Sequence, residues 1–253
     1  MTAALATLLV LGTSVIATAQ RSKQSYEIMR LIRREKMDLV LPGAMRDNGV
    51  DMWIHVVQSG NKDPLALDLG GWFEYRAWDP IGYYIFTDRG GDRIERILLG
   101  GEDQEGLYDI TGSGDELREL VQERDPAVIA VNMSDTLPIA NGLAYTSYLR
   151  LTEALGEEYA NRLVSAERVI ADFRVRRVQS EIVAFANALE IQRQLMEEAL
   201  RRIEPGVTTP EDVGWWAADR LLEQGIGPSY EAATLFLPYM PSGATDGVYR
   251  RGA

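Results

Sequence analysis

Cysteine is absent from this chain of 253 residues, and histidine occurs once, at position 55. The first absence excludes disulfides, thiolate nucleophiles, thiolate-bound zinc and iron–sulfur clusters. The second excludes a multi-histidine metal site and leaves His55 as the one imidazole for any Ser–His–Asp arrangement. Positive charge is also scarce, with 26 Lys and Arg against 38 Asp and Glu and a formal net charge of −12. An acidic surface repels a phosphate backbone, and no basic stripe with interleaved aromatics is present, so nucleic acid is not an expected partner. Beyond the first twenty positions, no apolar run approaches the roughly 20 residues that a bilayer span requires. What remains is ordinary for a globular protein: 46% of residues are hydrophobic and 25% charged. That is enough to bury a core in one large domain or two modest ones.

The N-terminus has the form of an export signal. Ala3 to Ala19 is apolar or small and uncharged, and it ends in Ala17-Thr18-Ala19, the small-x-small pattern that precedes a cleavage site. No Lys or Arg precedes Leu5, so the terminal amine alone supplies the positive end. An uncleaved anchor and a buried helix are the other two readings. The expected outcome is a signal peptide over residues 1–19 and a secreted or periplasmic mature chain, free of the membrane after cleavage.

Alternating helix and strand signals over residues 22 to about 150 favour a mixed α/β domain. Gln24 to Lys36 has helical spacing, Met37 to Leu41 is a short β-prone run ended by Pro42-Gly43, and Asp51 to Gln58 is a strand. Tyr83–Thr87 and Arg93–Leu99 flank the turn Asp88-Arg89-Gly90-Gly91 as a hairpin. Ser113 and Glu116 form a capping box for a helix through Gln122, and Ala127–Val131 is a compact buried strand. Ala144–Leu155 and Glu158–Val164 follow as helices, then Val169–Phe173 as an apolar link. After that, Val178, Ile182, Phe185, Leu189, Met196, Leu200 and Ile203 define one apolar stripe on a long helix. Pro205-Gly206 stops it, Thr209-Pro210 with Asp212 caps a further helix to Gln224, and Pro228 to Ala253 is strand-like.

Individual residues carry weaker signals. His55 lies opposite Ile54 and Val56 by alternation, where a neighbouring carbonyl would satisfy it; a substrate contact is the sharper reading. Of Trp215 and Trp216, at least one ring is expected in the core. Trp72, Phe73, Tyr75 and Trp78 sit in a loop, where aromatics serve either packing or binding. Gly112-Ser113-Gly114 lacks the spacing of a phosphate cradle and is explained by helix capping. Asn132-Met133-Ser134 has sequon form, with a cap or turn as the plainer role. Arg168, Arg174, Arg176 and Arg177 form a solvated linker face.

The second half resembles a known family. Arg174 to Ile182 (RVRRVQSEI) is similar to the linker of the Xaa-Pro aminopeptidase, prolidase and creatinase family. Ile203-Glu204-Pro205-Gly206-Val207-Thr208 resembles its I-x-P-G-x-T break, and Asp246-Gly247-Val248-Tyr249-Arg250-Arg251-Gly252 its approach to the first metal-binding strand. The resemblance implies a creatinase-like N-terminal α/β domain over residues 22–165, followed over 166–253 by the incomplete opening of a pita-bread α+β peptidase domain. It implies an enzyme that hydrolyses peptide N-terminal bonds with two divalent metals (Mn, Co or Zn), acts on peptides and forms a homodimer. The family's two Asp, one His and two Glu ligands would all lie beyond Gly252. Asp246 precedes the glycine of the match and is no substitute. No catalytic, cofactor-binding or metal residue is therefore assigned, and the 253 residues are expected to be an inactive fragment of a longer enzyme. The alternative is a non-catalytic creatinase-N-like module for binding or dimerisation.

Overall fold

A computed structural model describes residues 23–61, 63, 65–70 and 80–224. The expected signal segment 1–19, the expected aromatic loop from Trp72 to Trp78 and the stretch 228–253 expected to be strand-like, including Asp246–Gly252, lie outside these. The chain divides into two compact bodies. The first is Ile28–Glu181; the second takes in residues 23–27 and 182–224 of those described.

Helix α1 covers residues 23–39 and is followed at once by α2, Leu41–Arg46. The expected strand at Met37–Leu41 is therefore a correction. Met37, Leu41, Ala44 and Met45 are spaced by three or four and fully buried, which is a helical period across the junction. Pro42 sits in the first turn of α2, where its missing N–H costs no hydrogen bond, so it starts a helix instead of ending a strand.

The sheet of the first body has six strands: β1 Met52–Gln58, β2 Ile81–Thr87, β3 Glu95–Leu99, β4 Ile110–Gly112, β5 Ile129–Val131 and β6 Leu163–Ser165. Their order is β4-β3-β2-β1-β5-β6. β1–β2–β3 pair antiparallel, whereas β4 runs parallel to β3, β5 to β1, and β6 to β5. Ile54, Val56, Tyr83 and Ile85 point to one face, which is covered by α3 (Leu117–Arg124) and α4 (Tyr145–Ala160) through Leu117, Val121, Leu151 and Leu155. Trp53, His55, Tyr84 and Phe86 alternate to the other face, where Phe173 of α5 (Glu167–Val175) meets Trp53 at 6.1 Å between rings. A strand buried on both sides reads as a continuous apolar run, and Met52-Trp53-Ile54-His55-Val56-Val57 is buried throughout.

Of three further differences, two share a cause. The expected helix Glu158–Val164 ends at Ala160 and gives way to β6; Val169–Phe173 is helix, not link; and β4 was not anticipated. Three-residue strands have no room for a period of two. Their conformation is set by the neighbouring parallel strand, which the local sequence does not reveal. Within α4, Gly156 is non-helical at φ 76°, ψ 169°, so the segment is two helices joined at a kink.

Helix α6 runs Gln179–Arg202, in the second body from Ile182 on, and α7 runs Pro210–Glu223, with Thr209 and Asp212 closing the capping box at the start of α7. The predicted stripe is present in sequence but largely wet. Ile182 and Phe185 are about half exposed, Leu189 60% and Leu200 66%, whereas Leu195, off the stripe, is buried. Neither tryptophan is core: Trp215 is exposed, and Trp216 is partly covered by the Arg202 guanidinium 4.9 Å from its ring. Arg220 bridges the helices to Glu198 at 3.3 Å.

Candidate functional site

His55 is fully buried on β1. Its Nε2 lies 2.9 Å from Asp63 Oδ1, which also accepts the backbone N–H groups of Leu65 (2.9 Å) and Ala66 (3.0 Å). Burial pushes the Asp63 carboxyl up, but the facing imidazole, its hydrogen bond and the two backbone donors outweigh this and leave it below the usual carboxylate range. The partner is a carboxylate eight residues on, not the carbonyl expected from the sequence. With no exposed edge, the ring is a structural pin that ties β1 to the loop leaving it.

Asn132 follows β5 and is fully buried. Its Oδ1 accepts from Val56 N–H at 3.0 Å and its Nδ2 donates to Val56 C=O at 2.8 Å. A Cβ on Gly142 would stand 2.0 Å from Asp63 Oδ2 and 3.1 Å from Asn132 Nδ2, so only glycine lets that chain pass. Asn132 of the sequon-like Asn132-Met133-Ser134 caps no helix but does sit in a turn, with Met133 N–H bonded to Val131 C=O at 2.7 Å. The amide is a core hydrogen-bonding group.

A second buried polar cluster joins α1 to its neighbours. Arg33 pairs with Glu105 through both carboxylate oxygens, its Nε at 2.8 Å. Lys36 lies 3.4 Å from Glu181 and 5.1 Å from the Phe173 ring centre. Burial lowers the Lys36 ammonium from its ordinary value despite the attraction of Glu181. The expected linker arginines fall around this cluster: Arg174 lies 3.6 Å from Asp68, Arg176 bonds Asp47 and Asp172, and Arg177 pairs with Glu181. Arg174 and Arg176 tie the end of α5 to Asp68 and Asp47 within the first body. Arg168 stands apart from them.

Arg168 lines an open cleft of about 740 Å³ at the carboxyl ends of β5 and β6. One wall is built by the chain leaving β5, with Met133, Ser134, Asp135 and Leu143, and by Tyr145 and Tyr148 on the first turn of α4. The other wall is Ser165, Glu167 and Arg168, from the end of β6 into α5. Ser134 Oγ and Thr136 Oγ1 donate to the two oxygens of Glu167, the latter at 2.7 Å, stitching the walls together. Those two hydroxyls hold the Glu167 carboxyl below its ordinary value. The chain leaves β5 toward the face covered by α4 and leaves β6 toward the face covered by α5. The cleft therefore lies outside the carboxyl ends of two parallel strands, the end of an open α/β sheet at which ligands bind. Nothing in the local sequence marks it, because the walls come together only through the β5–β6 parallel pairing. Among the described residues, no three His, Cys, Asp or Glu side chains gather as a metal site would need.

The class defined by this architecture is a mixed α/β domain with a six-stranded mixed sheet, followed by a helix pair. No protein-family model and no curated protein matches the chain. Among solved structures it is similar to a Xaa-Pro dipeptidase from Bacillus anthracis, at 19% identity and TM-score 0.49, over 77% of this chain and 49% of that one. It is also similar to a prolidase from Pyrococcus horikoshii OT3 (16% identity, TM-score 0.46, 75% of this chain and 49% of that one). A prolidase from Pyrococcus furiosus matches at 16% identity and TM-score 0.42, over 72% of this chain and 51% of the other. The chain spans about half the length of each.

Proposed function

We propose that this chain is the opening half of an exported, metal-dependent Xaa-Pro dipeptidase- or aminopeptidase-like enzyme, acting as a homodimer on peptide N-termini. The observation that carries the reading is the turn built by Ile203–Thr208. α6 stops at Arg202, Gly206 takes φ +87°, and the carbonyl of Glu204 accepts from Val207 and Thr208, each at 3.0 Å. Thr208 Oγ1 accepts from Glu204 N–H at 2.8 Å, and Thr209 then caps α7. Pro, Gly and Thr of the I-x-P-G-x-T motif thus each have a task in the helix–turn–helix that the resemblance calls for: Pro to end a helix, Gly for the positive φ, Thr to close the turn. Export is supported by the uncharged apolar stretch ending in Ala17-Thr18-Ala19. Metal dependence belongs to the complete enzyme in this proposal; no described residue is assigned as a ligand, and no catalytic step is placed on this chain.

The test is to read the coding DNA past codon 253, express the frame it gives, and follow free proline released from Gly-Pro and Ala-Pro. Hydrolysis that is lost on dialysis against EDTA and restored by Mn²⁺ is expected. A folded product inert toward both peptides, or hydrolysis indifferent to EDTA, overturns the reading. A stop at codon 254 overturns it in favour of a binding or dimerisation module.

A further inference from the structure

We propose that the cleft between the ends of β5 and β6 binds a small zwitterion with an apolar side chain, of the class of a free amino acid or short peptide. The inference does not rest on the peptidase reading, since every lining residue lies in the first body. Position supplies the first argument. The crevice outside the carboxyl ends of two parallel strands is where α/β sheets take ligands.

Charge supplies the second. Arg168 and Asp135 are both exposed, and neither side chain forms an ion pair or hydrogen bond among the described residues, although the Arg168 charge also helps to hold down the Glu167 carboxyl. Glu167 is ionised but already accepts from Ser134 and Thr136, so it serves the wall more than a ligand. The first turn of α4 has no side-chain cap and no acidic residue, and its N–H groups add a second electropositive feature to Arg168. One cation with a helix N-terminus, facing two carboxylates, suits a ligand carrying one charge of each sign. A phosphate or dicarboxylate would set two like charges against Asp135 and Glu167 with a single guanidinium to offset them. The ligand carboxylate goes to Arg168 and the α4 N-terminus, and its ammonium to Asp135.

The walls supply the third. Tyr145, 74% exposed, with Tyr148, Met133 and Leu143 offers aromatic and thioether surface beside the charged groups. Apolar walls with a few convergent polar groups are the composition of small-molecule sites. An apolar side chain on the ligand covers them.

The experiment is calorimetric titration of the whole chain with L-phenylalanine, L-phenylalaninamide, which lacks the carboxylate, and 3-phenylpropionate, which lacks the ammonium. Saturable binding of phenylalanine is expected, with each analogue at least tenfold weaker. Arg168→Gln should weaken phenylalanine at least tenfold and abolish its advantage over the amide. Asp135→Asn should in the same way abolish its advantage over phenylpropionate. Both positions are exposed, and unchanged thermal melting shows that each variant is folded. The proposal is overturned by no saturation in the millimolar range, by equal binding of the three compounds, by variants that leave the preferences intact, or by inorganic phosphate binding more tightly than phenylalanine.

Discussion

The two bodies use the same kinds of residue to opposite effect. In the first, Trp53, Phe86, Ile54 and Ile85 are fully buried, and even its polar core groups, His55 and Asn132, are tied to named partners. In the second, Leu189, Met196, Leu200 and Leu222 are each more than half exposed. The ties described there are surface pairs such as Arg193 with Glu190 and Arg220 with Glu223. An amphipathic pattern predicts that a helix forms but not what covers its apolar side. Burial in the first body comes from a sheet with helices on both faces, so there the pattern and its partner are present together.

The sharpest way to break this contrast is a truncation in each body. Trp53→Ala removes a fully buried indole that packs on Phe86 and Phe173, and should cost about 3–5 kcal/mol. Leu189→Ala should cost less than about 0.5 kcal/mol, as a change at an exposed position. Urea unfolding of the two variants compares them directly; equal losses would mean that α6 carries as much packing as β1.

Asn132→Ala comes next. It strands the N–H and C=O of Val56 in the core, at about 1–3 kcal/mol for each unsatisfied group. Asn132→Asp tests the same bond pair from the other side, since a carboxylate accepts from Val56 N–H but cannot donate to its carbonyl. Both should lower the unfolding midpoint.

A smaller effect is expected with pH. The Asp63 carboxyl is held down in the folded state, so the stability it contributes is complete above the unfolded carboxyl value of about 3.9 and lost as pH falls through its lower folded value. The gap in stability between the natural chain and Asp63→Asn should close as the pH falls through the carboxyl range, below about 4. A gap that widens over that acid range would reverse the sign of this interaction.

The smallest effect is expected at Glu190, although its carboxyl is held at about 2, chiefly by the Arg193 hydrogen bond. The pair is solvent-exposed, and water and salt screen it. Glu190→Gln should leave the urea midpoint unchanged at every pH.

The sequence was informative wherever the determining contacts were local. The Ser113–Glu116 and Thr209–Asp212 boxes and the stop after Arg202 depend on residues three or four apart, the β2–β3 hairpin on strands adjacent in sequence, and they form as expected. It was silent where the determinant was distant. Leu163-Val164-Ser165 becomes a strand because Ile129–Val131 lies beside it, and Pro42 opens a helix because Leu41 and Met45 find a core. The cleft is an extreme case, because Asp135 and Arg168 are 33 positions apart and share no motif. Asn132 reads as a cap or turn in the sequence, and its bonds to Val56 are hidden there, since three letters do not say which strand lies next to them.

That asparagine also settles how the cleft can exist. β1 and β5 pair in parallel register only as far as Ile54 with Val131, and the next rung, at Val56, would ordinarily require β5 to continue straight. The carboxamide is a peptide group carried on a side arm, and it completes the rung without committing the main chain to another step along the sheet. Released one position early, the backbone turns through Met133, whose N–H bonds back to Val131 at 2.7 Å, and swings away. The opening is thus the outline of a strand that stops short while its hydrogen bonding continues.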